Sequence, residues 1–176
     1  MEMKKIILLT TLALLAAGTA FAQHGHGNCG NCPHHQQHQQ QQAAAGLTPE
    51  RAMARAFPDM KSTQKKDKWT AVYDKDSKLL GYAVSSKPAS DGIRGYAGET
   101  PVMVAFDAKK KIKGVYLLQN QETPGFVRRV EQAGFFDQWN GLTVKKALKK
   151  KVDTVSGATF TSRAVAESVR AALATL

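Results

Sequence analysis

Residues 101–120 read PVMVAFDAKKKIKGVYLLQN. PVMVAFD and IKGVYLLQN are runs of branched and aromatic residues, and the short polar stretch AKKK separates them. Two such runs joined by so short a link predict an antiparallel hairpin. The same pattern occurs just upstream, where KWTAVYD (68–74) and LLGYAVSSK (79–87) flank a polar turn around Lys75, Asp76 and Ser77. Outside the hairpins the hydrophobic period lengthens. In LTPERAMARAFPDM (47–60), Thr48 can cap a helix and Pro49 suits its first position. Ala52, Met53, Ala56 and Phe57 then share a face, and Pro58 ends it. QETPGFVRRVEQAGFFDQWNG (121–141) predicts a short helix with Val127, Val130 and Ala133 on one face. From Ser162 onward, Val165, Val169, Leu173 and Leu176 recur at helical spacing. The fold class is therefore α+β, a mainly antiparallel sheet with helices packed on it.

The N-terminal quarter reads differently. Residues 1–22 combine a basic start, an apolar run too short for a comfortable membrane span, and Ala20-Phe21-Ala22. That is the pattern of a signal peptide cleaved after Ala22, and it predicts a periplasmic or otherwise extracytoplasmic protein. Residues 23–46 hold all five histidines and both cysteines among many glutamines. So few apolar residues cannot offset the entropy of ordering, so this is read as a disordered tail and linker. The pair Cys29 and Cys32 leaves redox, metal and plain disulfide chemistry open. Pro33 follows Cys32 where haem attachment needs a histidine. Residues 47–176 form the single expected domain.

The chain carries 25 Lys and Arg against 14 Asp and Glu, a net charge of +11. Residues 1–22 supply +1 of it through Lys4, Lys5 and Glu2, which leaves +10. Export argues against nucleic acid as the partner, so the charge suits an acidic protein or an anionic surface. It collects at Lys109–Lys111 and at Lys145, Lys146, Lys149, Lys150 and Lys151. Between the hairpins, SDGIRGYAGET (90–100) spaces Gly92, Gly95 and Gly98 three apart. No helix follows, so backbone bends at positive φ are expected there and not a nucleotide loop. Tyr96, Phe135, Phe136 and Trp139 are expected in the core.

DTVSGATFTS (153–162) opens the last helix. Ser156, Thr159, Thr161 and Ser162 could each cap it, but one cap needs one hydroxyl. Free amides at a helix start also bind phosphate, and Gly157 would let the backbone approach it closely. The stretch closely resembles the flavin-attachment motif of the FMN-binding domain family, which includes flavin subunits of the Rnf and Na+-translocating NADH:quinone reductase complexes. NQETPGF (120–126) resembles that family's E-T-P-G loop, and FFDQWNG (135–141) its aromatic segment. The resemblance runs from about Tyr96 to Leu176. It implies that a flavin transferase joins FMN by a phosphoester to Thr159, with Asp153, Ser156, Gly157 and Ala158 completing the motif. It also implies that Glu122, Thr123, Gly125 and Phe126 lie against the flavin, although Phe126 stands where an aliphatic residue is common. The expectation is an exported electron carrier that passes electrons between redox partner proteins without turning over a substrate itself. The alternative is a metal-binding protein of the cell envelope that acts through its His/Cys tail.

Overall fold

The computed structural model describes residues 46–176. The readings made on residues 1–45 lie outside the described residues.

Helix α1 (Pro49–Ala56) starts as its sequence predicts. Thr48 is the N-cap and accepts a hydrogen bond from the Arg51 amide, with Pro49 in the first turn. Five strands follow: β1 (Ser62–Lys65), β2 (Thr70–Tyr73), β3 (Leu79–Ser85), β4 (Val102–Asp107) and β5 (Ile112–Leu117). They form one sheet in sequence order, and every neighbouring pair is antiparallel. Both predicted hairpins are present. In the first, the Asp74 carboxylate accepts from the Asp76 and Lys78 amides, and Ser77 takes a positive φ. In the second, Asp107 accepts from the Lys111 amide. Sequence reading missed β1, because its four residues are polar and exposed and carry no alternation to read.

Strand β4 lies at the centre of the packing, and Val102 to Phe106 are buried on both faces. Val102, Val104 and Phe106 join one cluster with Val165, Val169 and Leu173. Met103 and Ala105 point the other way, to the residues of α1. The two-residue period of a strand sorts the run into two cores. Each fully buried Val or Leu contributes about 1.5–3 kcal/mol, so this strand holds both helical layers to the sheet.

The remaining elements build the first layer. They are α2 (Pro124–Gln132), a 3-10 turn (Phe135–Trp139), α3 (Val144–Lys149) and α4 (Thr159–Ala174). Helix α4 packs across β4 and β3, as expected of the last helix. It begins three residues before Ser162, and Leu176 lies beyond its end and is exposed. The Val127 and Val130 face of α2 is buried, but Ala133 is the exposed C-cap and not part of it. Phe135 and Trp139 are core residues and Phe136 is half-buried. Tyr96 departs from its expected place, being 65% exposed. No helix among the described residues is long and apolar enough to cross a membrane.

Candidate functional site

Three loops far apart in sequence meet at Glu122. Its side chain is buried, yet it is fully partnered. One carboxylate oxygen accepts from the Ala97 and Gly98 amides at 2.8 and 2.9 Å. The other accepts from the Thr161 hydroxyl at 2.7 Å. The Glu122 amide in turn donates to Asn120 Oδ1 at 3.0 Å. One acidic side chain thus ties the glycine-rich loop, the E-T-P-G loop and the first turn of α4 together. Hydrogen bonds to a charged group are stronger than neutral ones, so this hub is a stiff support. Glu122 is buried, with both oxygens already engaged.

The glycines of the first loop follow from this packing. Gly92 has the expected positive φ, but Gly95 and Gly98 do not. A Cβ on Gly95 would stand 2.6 Å from Glu122 Oε1, and one on Gly98 2.9 Å from the Gln121 side chain. Close approach, not a backbone bend, requires those two. Lys87 braces the same loop by pairing with Asp91 at 2.7 Å and with Glu99. Its hydrogen bond, ahead of that from the Gly92 amide, holds the Glu99 carboxyl below the usual carboxylate range.

The hydroxyls of residues 153–162 separate into distinct roles. Thr161 is buried and bound to Glu122. Ser162 is buried too: it accepts from the Val155 amide at 3.1 Å and donates to the Thr159 carbonyl at 3.2 Å. It staples the approaching loop to the helix. Thr159 is exposed at the first position of α4, and its one internal contact is a long 3.5 Å bond to the Val155 carbonyl. Thr154 and Ser156 are also exposed, but they precede the helix. None of these hydroxyls caps α4: the N-cap is Ala158, with no side-chain cap bond. The first-turn amides of a 16-residue helix are therefore left without a side-chain acceptor, which favours an anion beside Thr159.

The other expected site residues lie on the E-T-P-G loop and on the stretch that leads into this turn. Asp153 is exposed, and Gln138 grips its backbone from both sides, accepting from its amide at 3.2 Å and donating to its carbonyl at 3.3 Å. Gly157 has φ +73° and Ala158 is buried. Thr123 is the N-cap of α2 and makes no side-chain cap bond. Gly125 is exposed, and a Cβ there would meet nothing within 4 Å, so no internal contact demands a glycine. Open space at that position leaves room for a ligand to approach the backbone. Phe126 is half-buried and meets Tyr96 edge to face, with ring centroids 5.0 Å apart. Sequence reading missed two participants here. Exposed Phe160 follows Thr159, and Arg129 of α2 lies against Gly157. A large aromatic inside a Ser/Thr-rich helix start was the available signal for Phe160; nothing local marked Arg129. Among the described residues no group of three or more His, Cys, Asp or Glu is placed to hold a metal ion.

An uncapped helix start with an exposed threonine, flanked by glycine and exposed aromatic rings, suits a phosphorylated planar ligand. The residues present thus fit FMN. Comparison with known proteins agrees. One component of the Na+-translocating ferredoxin:NAD+ oxidoreductase complex of Acetobacterium woodii is 29% identical over 104 residues, covering 53% of this chain and 48% of that protein. A component of the ion-translocating oxidoreductase complex of Vibrio parahaemolyticus is 36% identical over 88 residues, covering 43% of this chain and 41% of that protein. Its counterpart from Haemophilus influenzae is 35% identical over 107 residues, covering 54% and 50%. The chain spans about half the length of the curated relatives it matches. The model of the FMN-binding domain matches residues 95–174, the segment in which the three loops converge on Glu122.

Proposed function

We propose that residues 47–176 form an exported electron-carrying domain that holds FMN covalently through a phosphoester to Thr159. The observation that carries this reading is the division of labour among the hydroxyls. Thr161 and Ser162 are buried and engaged, while Thr159 stands exposed at the start of an uncapped helix. In the attachment step the Thr159 oxygen forms a bond to the flavin phosphate and loses its proton. The donor is a flavin dinucleotide, which releases its nucleoside monophosphate, and a flavin transferase catalyses the exchange. The stretch from Asp153 to Gly157, exposed except at half-buried Val155, is what that enzyme reads.

This chain's own residues then bind and orient. The first-turn amides of α4 receive the phosphate. Phe126, Tyr96 and Phe160 offer aromatic faces to the ring, and Gly125 leaves the backbone open to it. The bound flavin supplies the redox chemistry, accepting and releasing electrons. The relatives are named as parts of ion-translocating oxidoreductase complexes, which supports other redox proteins as donor and acceptor. Acid denaturation after coexpression with a flavin transferase tests the attachment. Flavin colour stays with the precipitated polypeptide if the reading holds, and passes into the supernatant if it does not.

Phe126→Ala is expected to change the flavin absorbance or fluorescence while leaving the attached mass unchanged. Loss of an edge-to-face partner also frees Tyr96, a contact of about 0.5–1.5 kcal/mol. A spectrum identical to wild type would remove Phe126 from the flavin's surroundings.

Docking is assigned to the lysines. The two clusters that are separate in sequence share one region. Lys111 forms an isolated bridge with Thr143, and the Ile112 amide donates to the Leu142 carbonyl at 2.8 Å. This sets the Lys109–Lys111 turn beside the start of α3, which carries Lys145, Lys146 and Lys149. An acidic redox partner would be steered to such a face. Reversing Lys149 and Lys150 to Glu should slow electron transfer to the native partner at low salt. The difference should shrink as salt rises, since the Debye length is about 8 Å at physiological ionic strength. Rates indifferent to both salt and charge reversal would leave the face without a docking role.

A further inference from the structure

The guanidinium of Arg129 lies directly over the glycine of the attachment motif. A Cβ built on Gly157 would overlap Arg129 Nη1 and stand 3.2 Å from its Cζ. The φ of +73° is what requires glycine at 157, and the flexible end of Arg129 occupies the space beside it. The cation has no acidic partner: both ion pairs among the described residues belong to Lys87. Nor does its side chain make a hydrogen bond to any described residue within the limits of an ordinary bond. Arg129 is exposed and has no carboxylate within ion-pair distance among the described residues, so its charge and planar fork of donors are open to a ligand. Gly157 is two residues before Thr159, so their Cα atoms lie within about 7 Å of each other, and the Arg129 charge rests beside that turn.

We infer that Arg129 is the phosphate-positioning residue of the flavin site. Its guanidinium supplies the counter-charge for the phosphate, opposite the first-turn amides of α4, and makes the site select a phosphorylated flavin over an unphosphorylated one. The inference rests on the flavin reading given above, but it does not depend on the covalent bond. Arginine suits the role because its fork pairs two phosphate oxygens at once, whereas lysine offers a point charge. The amides alone supply only partial charges, so the site is electrostatically incomplete without this side chain. Helix α2 thereby contributes twice, with Phe126 for the ring and Arg129 for the phosphate, one turn apart on the same helix.

The test uses the full chain carrying Thr159→Ala, so that only reversible binding is measured. FMN and riboflavin are titrated separately, with flavin fluorescence as the readout. Adding Arg129→Gln should weaken FMN about tenfold or more and leave riboflavin within twofold, because a charge-assisted hydrogen bond is lost and no ring contact is. Arg129→Lys should recover part of the FMN affinity. Unchanged FMN affinity in Arg129→Gln overturns the inference. An equal loss of both ligands overturns it too, since that marks a general disturbance of the loop. If reversible binding is too weak to titrate, the 31P resonance of protein loaded on Thr159 decides. It should move between wild type and Arg129→Gln, and superimposed resonances reject the role. Absence of flavin mass on Thr159 in the wild type would overturn covalent attachment instead, and the FMN-to-riboflavin comparison on the unsubstituted chain would then judge Arg129 by itself.

Discussion

Thr159→Ala is expected to abolish covalent loading of flavin and to leave the domain folded. The loss is complete because the substitution deletes the oxygen that would form the phosphoester, and the nearest alternatives in the helix are closed. Thr161 is bound to buried Glu122, and Ser162 holds Val155 and the Thr159 carbonyl. The fold tolerates the change for a specific reason. Neighbouring hydroxyls do not take over a cap, because no side chain caps α4 in the first place. Thr159 contributes only a 3.5 Å contact from an exposed position, so the unfolding free energy should change by less than about 0.5 kcal/mol. Thr159→Ser keeps the nucleophilic oxygen and should still load. Peptide mass spectrometry on protein coexpressed with a flavin transferase checks both variants. Flavin on the Thr154 or Ser156 side chain would move the attachment point off the helix.

Glu122→Ala has the second large effect, on stability first and on loading as a consequence. It strips the acceptor from two amides and one hydroxyl in a single change. Ala97 is exposed and its amide can turn to water, but Gly98 and Thr161 are buried. Leaving two buried donors unmet costs about 1–3 kcal/mol each, so a loss of about 3 kcal/mol or more is expected. Glu122→Gln keeps the shape and one accepting oxygen, and its amide can donate to the Thr161 hydroxyl. Its cost should be nearer 1 kcal/mol, the net value of a typical hydrogen bond. Urea unfolding of the two variants gives the comparison directly. Flavin loading should fall in the same order, since the glycine-rich loop and the start of α4 lose their common anchor. A cost below 1 kcal/mol for Glu122→Ala would mean that apolar packing alone holds the three loops together.

Much of this protein was legible one segment at a time. Thr48 and Pro49 start α1, and the PVMVAFD and IKGVYLLQN runs make the central hairpin. The Val165, Val169 and Leu173 spacing buries α4. These features are local: a cap, a turn and a period of two or about 3.6 are written within a dozen residues. DTVSGATFTS and the E-T-P-G loop were equally visible, and the family match covers both. What the local pattern did not hold was the partner of each residue. Tyr96 looked like core by its type, yet it stands exposed against Phe126 because its loop is drawn to Glu122 and not to the sheet. Gly95 and Gly98 looked like bends, yet side chains from the E-T-P-G loop fill the space a Cβ would need. The Glu122 to Thr161 bond spans 39 positions and Arg129 reaches Gly157 from another helix. Such pairings have no period and no composition. They exist because the sheet and α4 bring distant loops to one end of the domain, where a buried carboxylate must find donors or bear the cost of lying unsolvated. Sequence alone therefore determined the elements and the chemistry available to them. The tertiary structure decided which hydroxyls are buried, which acid becomes the anchor, and which arginine lies against Gly157.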